Sequence, residues 1–218
     1  TRVDLNGLYT TTAGTTEPGS PISDFSPPEN APLVFVSSVS VLSDTELIVA
    51  DTYNHMIKKV NMTSKTIVPL APRPSLSYPR GTIIVNNVIY FVDYGNHCIR
   101  QMDLNGVITD VVGVCGTGGY SVDGTPVNAA KLFHPSSVAV DPVNGDMFIA
   151  GSGNHIIRRV RGGMVTTIAG IPGQPKFSEN NISLALNSHL YEPTDLVIAP
   201  NGELYLSDHG NHCVRKLN

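Results

Sequence analysis

The sequence predicts an all-β protein in which four antiparallel sheets, each of four strands, are arranged as a β-propeller. A motif with a central Asn-His pair occurs four times, and its Asn stands at Asn54, Asn96, Asn154 and Asn211. The intervals of 42, 58 and 57 residues indicate a repeat architecture. Each copy is flanked by apolar runs of strand length, and four-stranded sheets repeated about an axis form a propeller.

Each repeat contains the same strand-forming segments in the same order. The first strands are expected at 38–42, 81–85, 136–140 and 194–198. The second strands are continuous apolar runs from Glu46, Val88, Asp146 and Glu203, typical of strands covered on both faces. The Asn-His pair follows as a tight turn, and then a third strand reads IKKV, IRQM, IRRV or VRKL. Fourth strands are expected from Thr66, Val107 and Met164.

The repeats resemble NHL repeats. The resemblance lies in the NHxIRxV core, the preceding D-x-x and the stretches PSSVAVDP and EPTDLVIAPNGELYLSD. TTIAG and GYSVDGTPVNAAKLFHP also resemble connectors of the bacterial and extracellular members of that family. The resemblance implies one NHL-type propeller domain over residues 1–218, with repeats at about 33–71, 79–113, 135–170 and 193–218. It implies a binding scaffold more than an enzyme, because the family rarely catalyses reactions.

The N-terminal segment has the pattern of a closing strand. Residues 1–14 align with 158–170, so LYTTTAG is expected to supply a fourth strand to the last sheet and leave no exposed edge. That arrangement is a closed ring of four blades. NHL domains usually have six blades, so an arc of a larger ring is an equal alternative, and further blades in the full chain or self-assembly would then complete it.

Composition narrows the class of partner. The chain has 218 residues, 41% of them hydrophobic, enough for a substantial core. A net charge of -4 argues against nucleic acid as a partner. No apolar run is long enough to span a membrane. Neither a signal peptide nor an initiator Met is present, so we expect a mature product or a fragment.

The cysteines predict an oxidising compartment. Cys98 begins a third strand and Cys115 follows the adjacent fourth strand, so the two approach each other in an antiparallel hairpin. Repeats with Met56 or Ile156 at the Cys98 position lack the second Cys, which favours a Cys98–Cys115 disulfide. Cys213 is either a free thiol or a sign that the chain continues.

Two glycosylation sequons, at Asn61 and Asn181, also fit a secreted or cell-surface glycoprotein. We therefore expect an extracellular location or the cell surface.

The repeated polar residues are interpreted as structural. The signature comprises Asn54, His55, Asn96, His97, Asn154, His155, Asn211 and His212. Its histidines lie one blade apart, too far to share an ion, so we expect neutral imidazoles that hydrogen-bond the blade. The acids Asp51, Asp93 and Asp208 are expected to accept hydrogen bonds in the turns, and Gly151 replaces the acid in the third repeat. We expect no catalytic residues, no metal and no cofactor.

One enzymatic alternative remains. The peptide-amidating lyase binds zinc through histidines on a similar propeller, and His134, His189 and His209 lie outside the repeated signature.

The expected function is a non-enzymatic protein-interaction scaffold. In a four-stranded meander the turns between second and third strands share one end with the connectors between blades. Variable loops on a rigid scaffold are common binding surfaces. A protein partner is therefore expected at this end, on Tyr53, Arg80, Tyr94, Tyr120, Ser152 and His209. The opposite end offers mainly short polar turns. A structural building block of an extracellular assembly is a further alternative.

Overall fold

The computed structural model describes residues 2–3, 9–10, 13–14, 33–70, 75–177 and 185–217. These residues confirm the all-β NHL propeller. Blade 1 contains β3 (Val36–Ser43), β4 (Glu46–Asp51), β5 (Met56–Asn61) and β6 (Thr66–Pro69). Blade 2 contains β7 (Pro79–Val85), β8 (Val88–Asp93), β9 (Cys98–Met102) and β10 (Ile108–Val112).

Blade 3 contains β12 (Pro135–Val140), β13 (Met147–Gly151), β14 (Ile156–Arg161) and β15 (Met164–Ala169). A short β11 (Thr125–Pro126) from the preceding connector adds a fifth strand beside β15. Blade 4 contains β16 (Pro193–Ile198), β17 (Leu204–Asp208) and β18 (Cys213–Leu217). All neighbouring strands are antiparallel, as the sequence pattern predicted.

The core lies between the blades. The first strands β3, β7, β12 and β16 contact one another in succession. Alternation along each strand sends side chains to both faces, so each middle blade is apolar on both sides. Ile48 and Phe91 meet between blades 1 and 2, and Ile99 and Ile149 meet between blades 2 and 3. This two-sided burial explains the continuous apolar runs of the second strands.

The Asn-His turns share one backbone geometry. In each repeat the three residues before the His form a single 3-10 turn, and the His follows with φ between +55° and +60°. The turn packs close to the chain that enters its blade. Gly153 shows how close, because a Cβ there would lie 2.6 Å from the Phe133 ring and 2.7 Å from the Phe133 carbonyl oxygen. The tight turn predicted from the Asn-His pair is confirmed.

The N-terminal pairing differs from the expected ring closure. A two-stranded sheet joins β1 (Arg2–Val3) to β2 (Tyr9–Thr10), and within the described residues β18 pairs with β17 alone. Ala13 instead packs on the outer face of blade 1, formed by Val49, Val60 and Ile67. Among the described residues of 1–14, no strand pairs with β18.

The long connectors contribute to the core. Leu132 and Leu190 are buried, at 2% and 1% exposure. A 3-10 turn at Ala185–Asn187 precedes Leu190, whereas the NAAKLF segment makes a hydrogen-bonded turn without a helix. Within the described ranges, no helix has the length and hydropathy needed to cross a bilayer.

Candidate functional site

The buried aspartates that recur in three repeats accept the hydrogen bonds that hold the Asn-His turns. In blade 2 the buried Asp93 accepts the backbone N–H of Ser77 at 2.8 Å on one oxygen. Its other oxygen accepts the Asn96 amide at 2.9 Å and Arg100 Nη1 at 3.0 Å. Burial raises the pKa of the Asp93 carboxyl, although these donors partly offset the effect. The same pattern occurs at Asp51 and Asp208. These acids are hydrogen-bond acceptors of the turns, as predicted.

The third repeat replaces its missing acid with a residue from the connector. Arg158 is 2% exposed and has no carboxylate at Gly151 to pair with. Instead its Nη2 lies 3.6 Å from Asp123 Oδ1, and its Nη1 donates to the Ser121 carbonyl at 2.9 Å. Asp123 also accepts the backbone N–H and hydroxyl of Thr167 at 2.8 and 2.9 Å. The connector thus completes blade 3 and is held in place by it.

The signature histidines join neighbouring blades. Nδ1 of His55 accepts the backbone N–H of Tyr78 at 3.1 Å, and Nδ1 of His97 accepts that of His134 at 3.2 Å. His155 accepts the N–H of Glu192 in the same way. Burial lowers the pKa of His97 and of His155, which favours the neutral imidazole that can accept these bonds. These three imidazoles were expected to bond within their own blade, and the structure shows that each of the three bonds the next blade.

The donors of these bonds occupy a repeated position that the sequence reading did not recognise, although it named His134 in the zinc alternative. Tyr78, His134 and Glu192, and Phe35 at the equivalent position of blade 1, each stand one residue before a first strand, with φ between +45° and +55°. Their side chains reach the end of the propeller that carries the Asn-His turns, here called the turn face. These residues could have been found from the sequence, because they occupy the same position in every repeat and Pro follows them in three repeats.

Aromatic rings run across the turn face from blade 1 to blade 3. Phe35 stacks on Tyr53 with ring centroids 4.8 Å apart, and Tyr53 meets Tyr78 edge-on at 5.8 Å. Tyr94 lies 4.6 Å from His134. We call these five residues the aromatic arc. Phe35 and Tyr53 are 57% and 52% exposed, so the arc presents an amphipathic surface to solvent.

Arg80 stands between the two halves of the aromatic arc. Its guanidinium carbon lies 3.8 Å from the centroid of the Tyr94 ring. Tyr53, Tyr78, Arg80 and Tyr94 line an open depression of about 510 Å³. A second depression, of about 420 Å³, begins on the other side of Arg80 and extends to His209. The structure therefore brings Tyr53, Arg80, Tyr94 and His209 to one surface.

Two of the expected contact residues are placed differently. Ser152 lines the second depression but is 8% exposed, and its Oγ lies within hydrogen-bond distance of Ser136 Oγ and of the Pro193 carbonyl oxygen, so it also contributes to packing between blades 3 and 4. Tyr120 lies over the guanidinium of Arg158, 5.2 Å from ring centroid to Cζ, and lines neither depression.

The opposite end of the ring is more concave than its turn residues predicted. A depression of about 760 Å³ is lined by the turns that follow β7, β12 and β16. Its walls are mainly aliphatic, and its one charged residue is Asp141. Asp141 is already engaged within its own turn by the backbone N–H of Val143 and the amide of Asn144. This depression has the shape of a site but few polar groups to orient a ligand.

The three histidines of the zinc alternative lie in different surroundings. His134 Nδ1 is buried without a hydrogen bond beside His97, whereas His189 Nδ1 lies 3.1 Å from the Gln174 carbonyl oxygen. His209 Nδ1 is 3.9 Å from a Glu192 oxygen. The described ranges contain no group of three or more His, Cys, Asp or Glu side chains that could hold a metal ion.

The structure contains the expected disulfide. Cys98 and Cys115 are bonded with their Cα atoms 5.2 Å apart, within the usual range for a disulfide. Gly116 then donates its N–H to the Asn96 carbonyl, so the bridge ties the connector to the Asn-His turn. Cys213 is a free, exposed thiol.

The structure describes one of the two glycosylation sequons. Asn61 lies at the end of β5, away from the turn face, and its amide donates to Glu46. Asn181 lies outside the described residues. Glycosylation of both stays a prediction.

A family model for the Teneurin NHL domain matches residues 70–212. The chain belongs to this family. Among curated proteins, it is 26% identical over 198 residues to Protein SUPPRESSOR OF QUENCHING 1, chloroplastic, of Arabidopsis thaliana, covering 78% of this chain and 18% of that protein. It is 28% identical over 158 residues to human Teneurin-1, covering 67% of this chain and 6% of that protein. The chain thus spans less than a fifth of either relative.

Solved structures agree on the fold. A chain of the nidogen/laminin complex superposes with a TM-score of 0.64 at 17% identity, covering 87% of this chain and 62% of that one. A streptogramin B lyase superposes with a TM-score of 0.60 at 11% identity, covering 84% of this chain and 51% of that one. NHL-like propellers therefore include both a protein from a complex and an enzyme, and the likeness itself shows the fold alone.

Proposed function

We propose that this member of the Teneurin NHL domain family is an extracellular, non-catalytic module that binds a protein partner through its turn face. The observation that carries the proposal is the aromatic arc. Tyr and Arg are the residue types that most often anchor protein interfaces, and here they surround one depression on a rigid end of the ring.

The non-catalytic part of the proposal rests on how the polar groups are used. The imidazoles of His55, His97 and His155 accept backbone bonds, and Asp93 is saturated by donors. Groups committed to the framework are not available to move protons on a substrate. The lyase neighbour keeps an enzyme as the second candidate, for which bound zinc and activity lost with His134 or His189 would be the signs.

The extracellular part rests on the disulfide between Cys98 and Cys115, since such bonds persist in oxidising compartments. The matched relatives do not decide the compartment, because one of them is named as a chloroplast protein. A protein that stands in a complex among the structural neighbours supports the interaction role.

The test is a binding screen with paired surface variants. The domain, displayed as a multimer, is applied to a panel of purified extracellular proteins, and each positive is measured by surface plasmon resonance. Phe35→Ser/Tyr53→Ser alters the turn face at two residues that are more than half exposed. Leu104→Ser/Val143→Ser is the matched control, because it removes two exposed apolar side chains from the opposite end.

We expect the turn-face variant to weaken binding at least about tenfold, as loss of interface aromatics commonly does, with an unchanged melting temperature. The control should bind like the wild type. A partner that loses affinity only for the control variant would place the interface on the opposite end and refute the proposal.

A further inference from the structure

Arg80 breaks the repeat at the centre of the turn face. The residue after the first position of β7 is Arg80, whereas the same position is Ser37 in blade 1, Ser136 in blade 3 and Thr194 in blade 4. The hydroxyls bond neighbouring groups, as when Ser136 Oγ donates to the Pro193 carbonyl at 3.0 Å. A guanidinium is too long for that role, so packing of the ring does not explain its presence.

Within the described residues, Arg80 has neither an ion-pair partner nor an acceptor for its buried Nε. Four other inward cations have a carboxylate partner. Lys58, Arg100 and Arg215 each contact the acid of their own turn, and Arg158 contacts Asp123, although the Nε of Arg158 is also buried without an acceptor. Within the described residues Arg80 therefore lacks the ion pair that these four cations have.

Two carboxylates line the same depressions as Arg80, but within the described residues neither lies within ion-pair distance of its guanidinium. Asp195, which lines the space below it, accepts Ser137 Oγ and its neighbouring backbone N–H. Glu192 lies against His209 across the second depression. His134 is closer, and its pKa is lowered first by burial and then by the positive charges of His97 and Arg80. Among the described residues, no acceptor is hydrogen-bonded to the buried Nε of Arg80 and no carboxylate is paired with its guanidinium.

The geometry also suits one kind of anion. Stacking on Tyr94 fixes the plane of the guanidinium, and its planar fork matches the two oxygens of a carboxylate. Tyr53 and Tyr78 form walls of the same open depression. A depression of about 510 Å³ has room for an extended side chain and its neighbours.

We propose that Arg80 is the anchor for a carboxylate of the protein partner, an Asp or Glu side chain that enters between Tyr53, Tyr78 and Tyr94. The inference rests on the proposed function, because it names the chemistry of the partner that the turn face binds. A bound carboxylate would accept from the Arg80 guanidinium and supply the charge that the ring lacks.

The experiment uses two blocked tripeptides, acetyl-Gly-Glu-Gly-amide and acetyl-Gly-Gln-Gly-amide, titrated into ¹⁵N-labelled protein. The readout is the Nε–H resonance of Arg80, assigned by its loss in Arg80→Lys. We expect the Glu peptide to shift this resonance in a saturable manner, and the Gln peptide at the same concentrations to leave it in place.

Variants of Arg80 distinguish the effect of its positive charge from the effect of its planar guanidinium. Arg80→Gln should lower the affinity for the Glu peptide at least about tenfold, and Arg80→Lys should recover only part of it, because Lys lacks the fork. Binding by these variants is followed through the backbone amides of Tyr94 and Tyr53. Lys131→Gln is the control, since it removes the same charge from an exposed site outside both depressions. Melting temperatures of all variants confirm the fold.

Three results would overturn the inference. The first is equal behaviour of the Glu and Gln peptides, and the second is a Glu-peptide affinity that falls as much in Lys131→Gln as in Arg80→Gln. The third is saturable binding of inorganic sulfate where the Glu peptide has no effect, because the site would then select a tetrahedral anion.

The two proposals fail in different ways. If Phe35→Ser/Tyr53→Ser loses the partner while the peptides behave alike, only the carboxylate inference is wrong. If the partner binds Phe35→Ser/Tyr53→Ser normally, the proposed function is wrong whatever the peptides do.

Discussion

Nδ1 of His97 accepts the backbone N–H of His134 at 3.2 Å, and this bond joins the Asn-His turn of blade 2 to the start of blade 3. Equivalent bonds join blade 1 to blade 2 and blade 3 to blade 4. Both partners have positive φ, so the repeat places two uncommon backbone conformations opposite each other. The motif that defines the repeat is therefore also the device that sets one blade against the next.

His155→Ala should destabilise the protein by about 1–3 kcal/mol, because it leaves the Glu192 N–H without its acceptor between two blades. The free energy of unfolding in urea measures this. His212→Ala is the matched control, since it changes the same position of the repeat at an exposed residue. An equal loss in the two variants would mean that the His acts within its own turn and not between blades.

Stability should decrease as the pH falls below about 6.5, the ordinary pKa of histidine. Burial lowers the pKa of His97, His134 and His155 in the folded protein. At a pH between this lowered pKa and the ordinary pKa, the unfolded chain therefore binds more protons than the folded protein does. The measurement is the unfolding free energy from about pH 7.5 to about pH 5.

His97→Gln provides the comparison for this pH dependence, because it removes one of the three half-buried imidazoles. In this variant the unfolding free energy should change less with pH than in the wild type. Asp93, whose pKa is raised, contributes in the opposite direction in both proteins, so subtracting the two unfolding free energies at each pH cancels its contribution. A slope unchanged by His97→Gln would show that its imidazole is not involved.

Gly153→Ala should cost about 1–3 kcal/mol, as overpacking of a close contact does. The new Cβ would lie 2.6 Å from the Phe133 ring and 2.7 Å from its carbonyl oxygen, so the chain entering blade 3 must shift. Thermal unfolding measures the effect. Tyr53→Ala is the control, because Tyr53 stands at the same position of blade 1 and already carries a Cβ. A Gly153→Ala protein as stable as wild type would show that this approach is not tight.

Asp123→Asn should destabilise the protein by about 1–3 kcal/mol, since the buried Arg158 loses its carboxylate. The half-exposed Asp123 side chain keeps the effect below that of a fully buried pair. Urea unfolding is the measurement, and Asp110→Asn is the control, because Arg100 retains the buried Asp93. Equal losses in the two variants would contradict the role of Asp123 as the substitute for the acid missing at Gly151.

Loss of the disulfide should cost about 3 kcal/mol, the chain-entropy value for a loop of this size, given a separation of 17 residues. The measurement compares urea unfolding of the wild type and of Cys98→Ala/Cys115→Ala, with and without reductant. Reductant should destabilise the wild type and leave the double variant unchanged. Cys213→Ser should behave as the wild type, and a wild type that is insensitive to full reduction would contradict the prediction.

Much of the fold could be predicted because its signals are local. Short apolar runs predict a strand before and after every Asn-His pair, and the structure has β4 and β5, β8 and β9, β13 and β14, and β17 and β18 there. The pairing of Cys98 with Cys115 was also accessible, because the hairpin that joins them is itself local in sequence. Tyr53, Arg80 and Tyr94 were expected on one end from the order of strands alone.

The tertiary structure alone decided which distant groups meet. The donor to each His lies on the next blade, Asp123 replaces an acid missing from another segment, and Arg80 stacks on Tyr94 without a counter-ion. Only the tertiary structure shows that β1 pairs with β2 and that Ala13 packs against the apolar face of blade 1. Local pattern specifies a strand and its buried faces. The neighbour that covers a face is chosen by shape, charge and burial between segments far apart in the chain, for which the repeat carries no separate signal.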